Sequence, residues 1–164
     1  VGKLIGIMVV VMYVMDGSIK TMQSTWNGPA GQSVRALSGN CFHPSTRIKL
    51  KTGKVVKMKD IFLGDILESG SKVIATMQLI KTETDKLYVM PHGVNNIPIY
   101  VTGSHMVFNK ATNKFIDVQH HPDAKEQSDV ECEYFSCLIT DDHHIQIGQQ
   151  LFYDYDDDEI RAAM

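Results

Sequence analysis

The chain has 164 residues, of which 43% are hydrophobic and 21% are charged, and its formal net charge is −3. This length suits one domain, or one domain with an appendage, and is enough to bury a hydrophobic core. A slight negative charge without a basic cluster argues against nucleic acid as a partner. The three cysteines cannot all pair within the chain and show no C-x-x-C spacing. We therefore expect free thiols, as in a reducing compartment, and no disulfide framework.

The first apolar segment is the run LIGIMVVVMYVM at 4–15, which lies between Lys3 and Asp16. As a helix this run would span roughly 18 Å, short of the ~30 Å hydrocarbon core of a bilayer. Because the sequence begins at Val1, one interpretation is the end of a longer membrane helix. Residues 4–15 would then contact the membrane and give the protein a membrane-associated location. A core strand or helix and the hydrophobic part of a signal peptide are the alternatives.

The next segment, at 16–40, is rich in Gly, Ser, Thr and Asn and contains the turn-forming cluster WNGPAG. No apolar period runs through it. We therefore predict a linker, with Trp26 as a candidate docking residue.

From Thr46 onward, short strand-like runs alternate with turn signals. TRIKL and VVKM flank the turn-like KTGK, which predicts a hairpin. Many short strands without a long helical period predict an all-β domain. We expect a helical turn or loop at 60–65 and a flexible polar insertion at 119–129. Strands are predicted at 66–67, 73–79, 86–90, 99–101, 106–108, 115–118, 133–140, 144–147 and 150–155.

A cysteine stands where the polar segment gives way to the first strand, in the sequence NCFHPSTRI at 40–48. Pro44 biases the residue before it toward extended backbone, which keeps Cys41 at the outer end of this segment. Together with the hairpin and MKDIFLGD at 58–65, the pattern resembles the first block of the Hint domain. Inteins share this domain with the C-terminal part of Hedgehog proteins. IYVTGSHMVF at 99–108 is similar to the family's strand with Thr-x-x-His, and LITDDHHI at 138–145 resembles its late strand with an acidic residue and a histidine.

The resemblance implies a Hint-type β fold at 41–158, a short tail at 159–164, and self-cleavage of the bond between Asn40 and Cys41. The chain's own N-terminal segment would be the substrate. Since the Cys41 thiol lies next to the Asn40 carbonyl, attack is intramolecular, and a held geometry can lower the barrier by about 7 to 11 kcal/mol. The product of this N-to-S acyl shift is a thioester, which lies uphill and must be trapped by a later step. A buried, inert cysteine is the alternative.

The resemblance also implies roles for later residues. His105 matches the histidine that delivers a proton to the departing nitrogen, for which an imidazole is suited near neutral pH. Thr102 matches a hydroxyl that contacts the scissile peptide. His143 and Asp142 match the late histidine and its acidic neighbour, although His144 leaves the register open. The alternatives are an ordinary strand end and turn for the first two residues and a solvated histidine pair for the others.

Two family features are missing from the chain. An intein ends in His-Asn followed by Cys, Ser or Thr, whereas this chain runs LFYDYD at 151–156, so we expect N-terminal cleavage without splicing. The short acidic stretch after Tyr155 has no room for the sterol-recruiting region of Hedgehog proteins. Water, a small thiol or an amine on another protein is then the expected acceptor. Similar stretches in large DNA viruses are a fainter resemblance.

Two rival interpretations remain. One is a catalytically silent Hint-fold module that binds a partner or has a structural role. The other is a conditional switch that waits for a thiol or a partner before it cleaves.

We expect no cofactor and no metal. The acidic run at 154–159 lacks the Gly of a calcium-binding loop, and we interpret it as a solvated tail. Zinc would need His and Cys ligands at the spacing of a zinc knuckle. The candidate ligands do not have that spacing; they are His120, His121, Cys132, Cys137, His143 and His144.

Overall fold

The structure, a computed structural model, describes residues 7–15, 18–26, 41–80, 86–127 and 129–155. These residues form β-strands joined by turns and short 3₁₀ helices, so the predicted all-β fold is confirmed. The strands are β1 (Ile7–Met15), β2 (Ser18–Trp26), β3 (Arg47–Lys49), β4 (Val55–Lys57), β5 (Val73–Ile80), β6 (Leu87–Met90), β7 (Ile99–Thr102), β8 (Met106–Asn109), β9 (Lys114–Asp117), β10 (Lys125–Glu126), β11 (Tyr134–Thr140), β12 (His144–Ile147) and β13 (Gln150–Tyr153). The 3₁₀ helices are Met58–Asp60, Val94–Asn96 and Val118–His120.

Downstream of Thr46, most predicted strands are present with ends shifted by a residue or two. The predicted strand at 66–67 forms only isolated bridges, Ile66 with Lys72 and Leu67 with Leu50. The polar insertion at 119–129 differs more, because it contains β10, which pairs with β6. Strand pairing uses backbone N–H and C=O groups, so polar side chains do not prevent it at a sheet edge.

The N-terminal apolar run contains a strand. β1 covers most of it and pairs antiparallel with β2 on one side and β5 on the other. The segment 18–26 is therefore a strand and not the predicted linker. The docking of the Trp26 side chain and the segments 27–40 and 156–164 lie outside the described residues. Among the described residues, no helix has the length and apolar character that crossing a bilayer would require.

Phe42 lies between two groups of paired strands. One has the order β10-β6-β7 and the other β11-β5-β1-β2. Phe42 pairs antiparallel with Val101 of β7 and with Ser136 of β11. The N–H of Phe42 donates to the Ser136 carbonyl at 2.9 Å, and the N–H of Ser136 donates to the Phe42 carbonyl at 2.8 Å. The segment 41–43 thus occupies a central strand position.

A third group of strands has the order β12-β13-β8-β9. Its central pairing joins Phe152 of β13 to Val107 of β8. The β3–β4 hairpin is separate and turns at Gly53, whose φ of +92° is a conformation that favours glycine.

Successive residues of the 41–43 segment enter two different cores, because side chains alternate across an extended chain. Phe42 belongs to the larger core, formed with residues of the hairpin, β7, β8, β12 and β13. Cys41 belongs to the second core, which lies against β5 and β11. The segment of interest therefore runs through the interior, with both side chains fully buried.

Candidate active site

The site is built around the backbone of Cys41, whose N–H and carbonyl both form hydrogen bonds with Thr102 at the end of β7. The Cys41 N–H donates to Thr102 Oγ1 at 3.2 Å. The Cys41 carbonyl accepts from the Thr102 N–H at 3.0 Å and from its hydroxyl at 3.2 Å. A hydroxyl can accept and donate at once, so Thr102 satisfies both polar groups of this residue. Thr102 itself is only 3% exposed.

His105 reaches the same place from the turn that follows β7. Its N–H donates to the Thr102 carbonyl at 3.1 Å, and its carbonyl accepts from Val118 at 2.8 Å. The ring is fully buried. It packs against Phe42 and Phe152, with centroid distances of 4.5 and 5.2 Å. Two aromatic rings from the core therefore fix the position of the imidazole.

The two ring nitrogens of His105 face two backbone carbonyls. Nε2 lies 2.6 Å from the Tyr153 oxygen, and Nδ1 lies 3.4 Å from the Cys41 oxygen. Burial lowers the pKa of His105 to about 4, and the two carbonyls offset only part of this effect. The ring is therefore neutral near physiological pH and carries one hydrogen. The shorter contact assigns that hydrogen to Nε2. Nδ1 then carries a lone pair, and its 3.4 Å approach to the Cys41 carbonyl oxygen joins two acceptors and is not a hydrogen bond in this tautomer.

The sulfur of Cys41 is joined to Cys137 of β11 in a disulfide, so the prediction of free thiols is wrong for this pair. The two residues are separated by 96 positions in sequence, but their Cα atoms lie 4.7 Å apart. Spacing along the chain gives no sign of such a pair, because the strand ladder brings it together. Cys132 lies outside this disulfide and is partly exposed.

A second cluster forms around His143, whose Nδ1 lies 3.1 Å from Asp154 Oδ2. The Asp154 side chain is fully buried, while that of His143 is 37% exposed. Asp154 Oδ2 also accepts the Thr140 N–H at 2.9 Å. A buried carboxylate requires such partners, and its acceptor oxygen favours the hydrogen on His143 Nδ1.

Asp142, the acidic residue expected in the site, lies in the exposed turn between β11 and β12. Its Oδ2 accepts the Ser71 hydroxyl at 2.8 Å, and its Oδ1 accepts the His144 N–H at 3.1 Å. Burial raises the pKa of Asp142, but these hydrogen bonds outweigh it and the pKa is lowered overall. The carboxylate that contacts His143 is Asp154 instead.

The two clusters share the end of β13. Tyr153 accepts from His105, and the next residue, Asp154, contacts His143. The structure thus brings Cys41, Thr102 and His105 together, and it places His143 in a neighbouring cluster linked by two consecutive residues. Asn40, the other half of the expected cleavage site, lies outside the described residues.

Three members of these clusters were not found from the sequence. Tyr153 acts through its carbonyl, which leaves no signature in the residue type. In the sequence, Cys137 occupies an apolar position of a strand, and nothing there indicates that it lies opposite Cys41. Asp154 was assigned to a solvated tail because acidic residues follow it, yet it continues the buried alternation of β13. Counting every second residue from Phe152 marks Asp154 as inward-facing.

No group of three or more His, Cys, Asp or Glu side chains within the described ranges is arranged to hold a metal ion. Neither a protein-family model nor a curated protein sequence matches this chain. The fold and the site together define an all-β domain with a buried cluster of cysteine, threonine and histidine around one backbone unit.

Proposed function

We propose that this chain is a Hint-like autoprocessing domain that breaks its own peptide bond between Asn40 and Cys41. The observation that carries the proposal is the convergence of a hydroxyl and a neutral imidazole on the Cys41 backbone. The hydroxyl binds the very N–H that belongs to the bond to be broken. A fully buried histidine with a lowered pKa beside a cysteine is a candidate functional residue.

The first step exchanges an amide for a thioester. The Cys41 sulfur forms a bond to the Asn40 carbonyl carbon while the bond from that carbon to the Cys41 nitrogen breaks. The thiol loses one proton and the departing nitrogen gains one, so the net proton transfer runs from sulfur to nitrogen. Because both reacting groups lie in one segment, the reaction is intramolecular, and correct orientation can supply about 7 to 11 kcal/mol.

Each residue of the site has a defined part in this step. The Thr102 hydroxyl accepts the N–H of Cys41 and so positions the departing nitrogen. His105 offers the Nδ1 lone pair that takes a proton and returns it, a role worth about 10²- to 10⁴-fold in rate. The Tyr153 carbonyl keeps the ring in the tautomer that makes Nδ1 available.

An acceptor then breaks the thioester. With water, the products are a carboxylate at Asn40 and a chain that begins at Cys41 with a free amine and a free thiol. A small thiol or an amine on another protein would instead receive the upstream segment. His143, oriented by the buried Asp154, is our candidate for taking the proton of the acceptor. Asp142 has no part in this scheme.

A second candidate is the silent module, in which the Hint-like fold performs no cleavage. The observation that favours it is the Cys41–Cys137 disulfide, which occupies the sulfur that would attack. In this case the 41–43 segment serves only to close the sheet between β7 and β11.

Intact mass under denaturing conditions separates the two candidates. Freshly purified protein is incubated with a phosphine reductant, with and without hydroxylamine to intercept a thioester, and Cys41→Ala is the control. A new amino terminus at Cys41 in the wild type alone supports autoprocessing. A chain that stays uncleaved in every condition, with only the two hydrogens of disulfide reduction added, supports the silent module.

A further inference from the structure

We propose that the Cys41–Cys137 disulfide is a redox gate on the cleavage reaction. In the oxidised chain the disulfide blocks cleavage, and two-electron reduction by a dithiol or a small-thiol reductant allows it. This inference rests on the proposed function and adds the regulation of the same site. It assigns Cys137, a residue with no part in the bond-breaking step, the task of controlling the nucleophile.

The strand register alone sets the two cysteines opposite each other. Phe42 and Ser136 exchange both of their backbone hydrogen bonds, at 2.9 and 2.8 Å. In an antiparallel ladder the flanking pair is then the close, non-hydrogen-bonded one, with Cα atoms about 4.5 Å apart. Cys41 and Cys137 are that pair, and their Cα atoms lie 4.7 Å apart. The backbone that positions the nucleophile therefore also positions its oxidation partner.

The chemistry of the two states differs at one atom. In the disulfide, the Cys41 sulfur shares its bond with Cys137 and is no thiolate, and only a thiolate attacks a carbonyl efficiently. A reductant thiolate attacks one of the two sulfurs and forms a mixed disulfide, and a second thiol of the reductant resolves it. The protein gains two electrons and two protons, giving two thiols, and the reductant leaves as its own disulfide. Cys41 can then attack the Asn40 carbonyl.

Burial determines which reductants can operate the gate. Both cysteines have no exposed surface, whereas thiol–disulfide exchange requires direct access to a sulfur. The gate should therefore open slowly in the native state and faster where the pairing of Phe42 with Ser136 loosens. Cys132, which is partly exposed and outside the disulfide, provides an internal reference for thiol accessibility.

The experiment combines a thiol count with a cleavage assay on the full chain. Protein purified without reductant is split into an untreated sample and one treated with a phosphine, which reduces disulfides without acting as a thiol acceptor. Each is unfolded in urea, alkylated with iodoacetamide and measured by intact mass. The chain has three cysteines, so we expect one adduct on the untreated chain and three after reduction. Cleavage at Asn40–Cys41 should occur only after reduction.

Two variants make the test specific. Cys137→Ser should cleave without reductant, at the rate of the reduced wild type, because nothing then occupies the Cys41 sulfur. Cys132→Ser should keep the wild-type dependence on reductant. If Cys137→Ser misfolds, the wild-type thiol count and its cleavage with and without phosphine still decide the matter.

The unfavourable outcomes are distinct from one another. Three adducts on the untreated chain, or equal cleavage with and without reductant, would overturn the gate and leave autoprocessing intact. A second outcome is one adduct on the untreated chain and three after reduction, but no cleavage in any sample, including Cys137→Ser treated with hydroxylamine. This outcome would overturn autoprocessing itself and with it the gate.

Discussion

His105 donates its Nε2 hydrogen to the carbonyl oxygen of Tyr153 over 2.6 Å, so the end of β13 decides which ring nitrogen faces Cys41. A backbone carbonyl is a constant partner, since it neither titrates nor rotates like a side chain. The neutral ring therefore presents the same lone pair to the Cys41 backbone across the physiological pH range. This relationship motivates the first two predictions.

Replacing His105 by Gln should slow cleavage of the reduced protein by about 10²- to 10⁴-fold, the usual range for loss of a general acid or base. The glutamine amide can still donate to Tyr153 but has no basic nitrogen. The rate is measured by denaturing intact mass over time. His120→Gln, at an exposed position, is the matched control and should cleave at the wild-type rate. An unchanged rate in His105→Gln would remove the histidine from the mechanism.

Stability should fall as the pH is lowered from about 6.5 to about 4, because burial lowers the pKa of His105 from 6.5 to about 4. In this window the unfolded chain binds a proton that the folded chain does not, which favours unfolding. The loss should reach roughly 3 kcal/mol near the lower end and then level off. Urea unfolding of wild type and His105→Gln at several pH values isolates this contribution. Parallel pH curves for the two proteins would contradict it.

Replacing Thr102 by Val should destabilise the fold by about 1 to 3 kcal/mol. Valine keeps the shape of the side chain but leaves the buried N–H of Cys41 without the acceptor that lies 3.2 Å away. Thr102→Ser retains the hydroxyl and should lose much less. The free energy of unfolding in urea is the measurement, and equal losses in the two variants would show that the hydroxyl is unimportant.

Asp154→Asn should cost more than Asp142→Asn, in contrast to the assignment made from the sequence. The Asp154 side chain is fully buried and accepts from Thr140 and His143, so its change should cost about 1 to 3 kcal/mol. Asp142 lies in an exposed turn, where substitutions usually cost less than about 1 kcal/mol. Urea unfolding of both variants checks the order. A larger loss for Asp142→Asn would reverse our reading of the second cluster.

Reduction of the Cys41–Cys137 disulfide should lower the free energy of unfolding by about 4 to 5 kcal/mol, the chain-entropy value for a loop of 96 residues. The urea midpoint with and without phosphine gives this quantity. Cys137→Ser should start at the lower stability and show no response to the reductant. A midpoint that phosphine leaves unchanged in the wild type would contradict the prediction.

Much of the fold could be predicted because alternating polarity and turn residues mark short strands, and strands such as β5, β11 and β12 lie close to where the pattern put them. β2 escaped detection because its polar side chains carry no alternation, and its pairing with β1 rests on backbone groups. The sheet order likewise depends on contacts between distant segments, which local patterns do not encode.

In the site, the resemblance to the Hint family pointed to Cys41, Thr102 and His105, which the structure brings together. What was missed depends on the three-dimensional arrangement. Tyr153 contributes a carbonyl that every residue possesses, and Cys137 becomes notable only through its position opposite Cys41. Asp154 was misjudged because its charge suggested solvent, while its place in the alternation of β13 indicated burial.

The position of β1 determines what a cut between residues 40 and 41 would leave behind. β1 runs between β2 and β5, with Val9 opposite Leu79 and Tyr13 opposite Ala75. The upstream piece would therefore stay hydrogen-bonded to the downstream one, and the nicked protein would persist as a two-chain complex. Size-exclusion chromatography would find a single particle where denaturing electrophoresis finds two. Release of the N-terminal piece would be a separate event that requires β1 to leave its place beside β5.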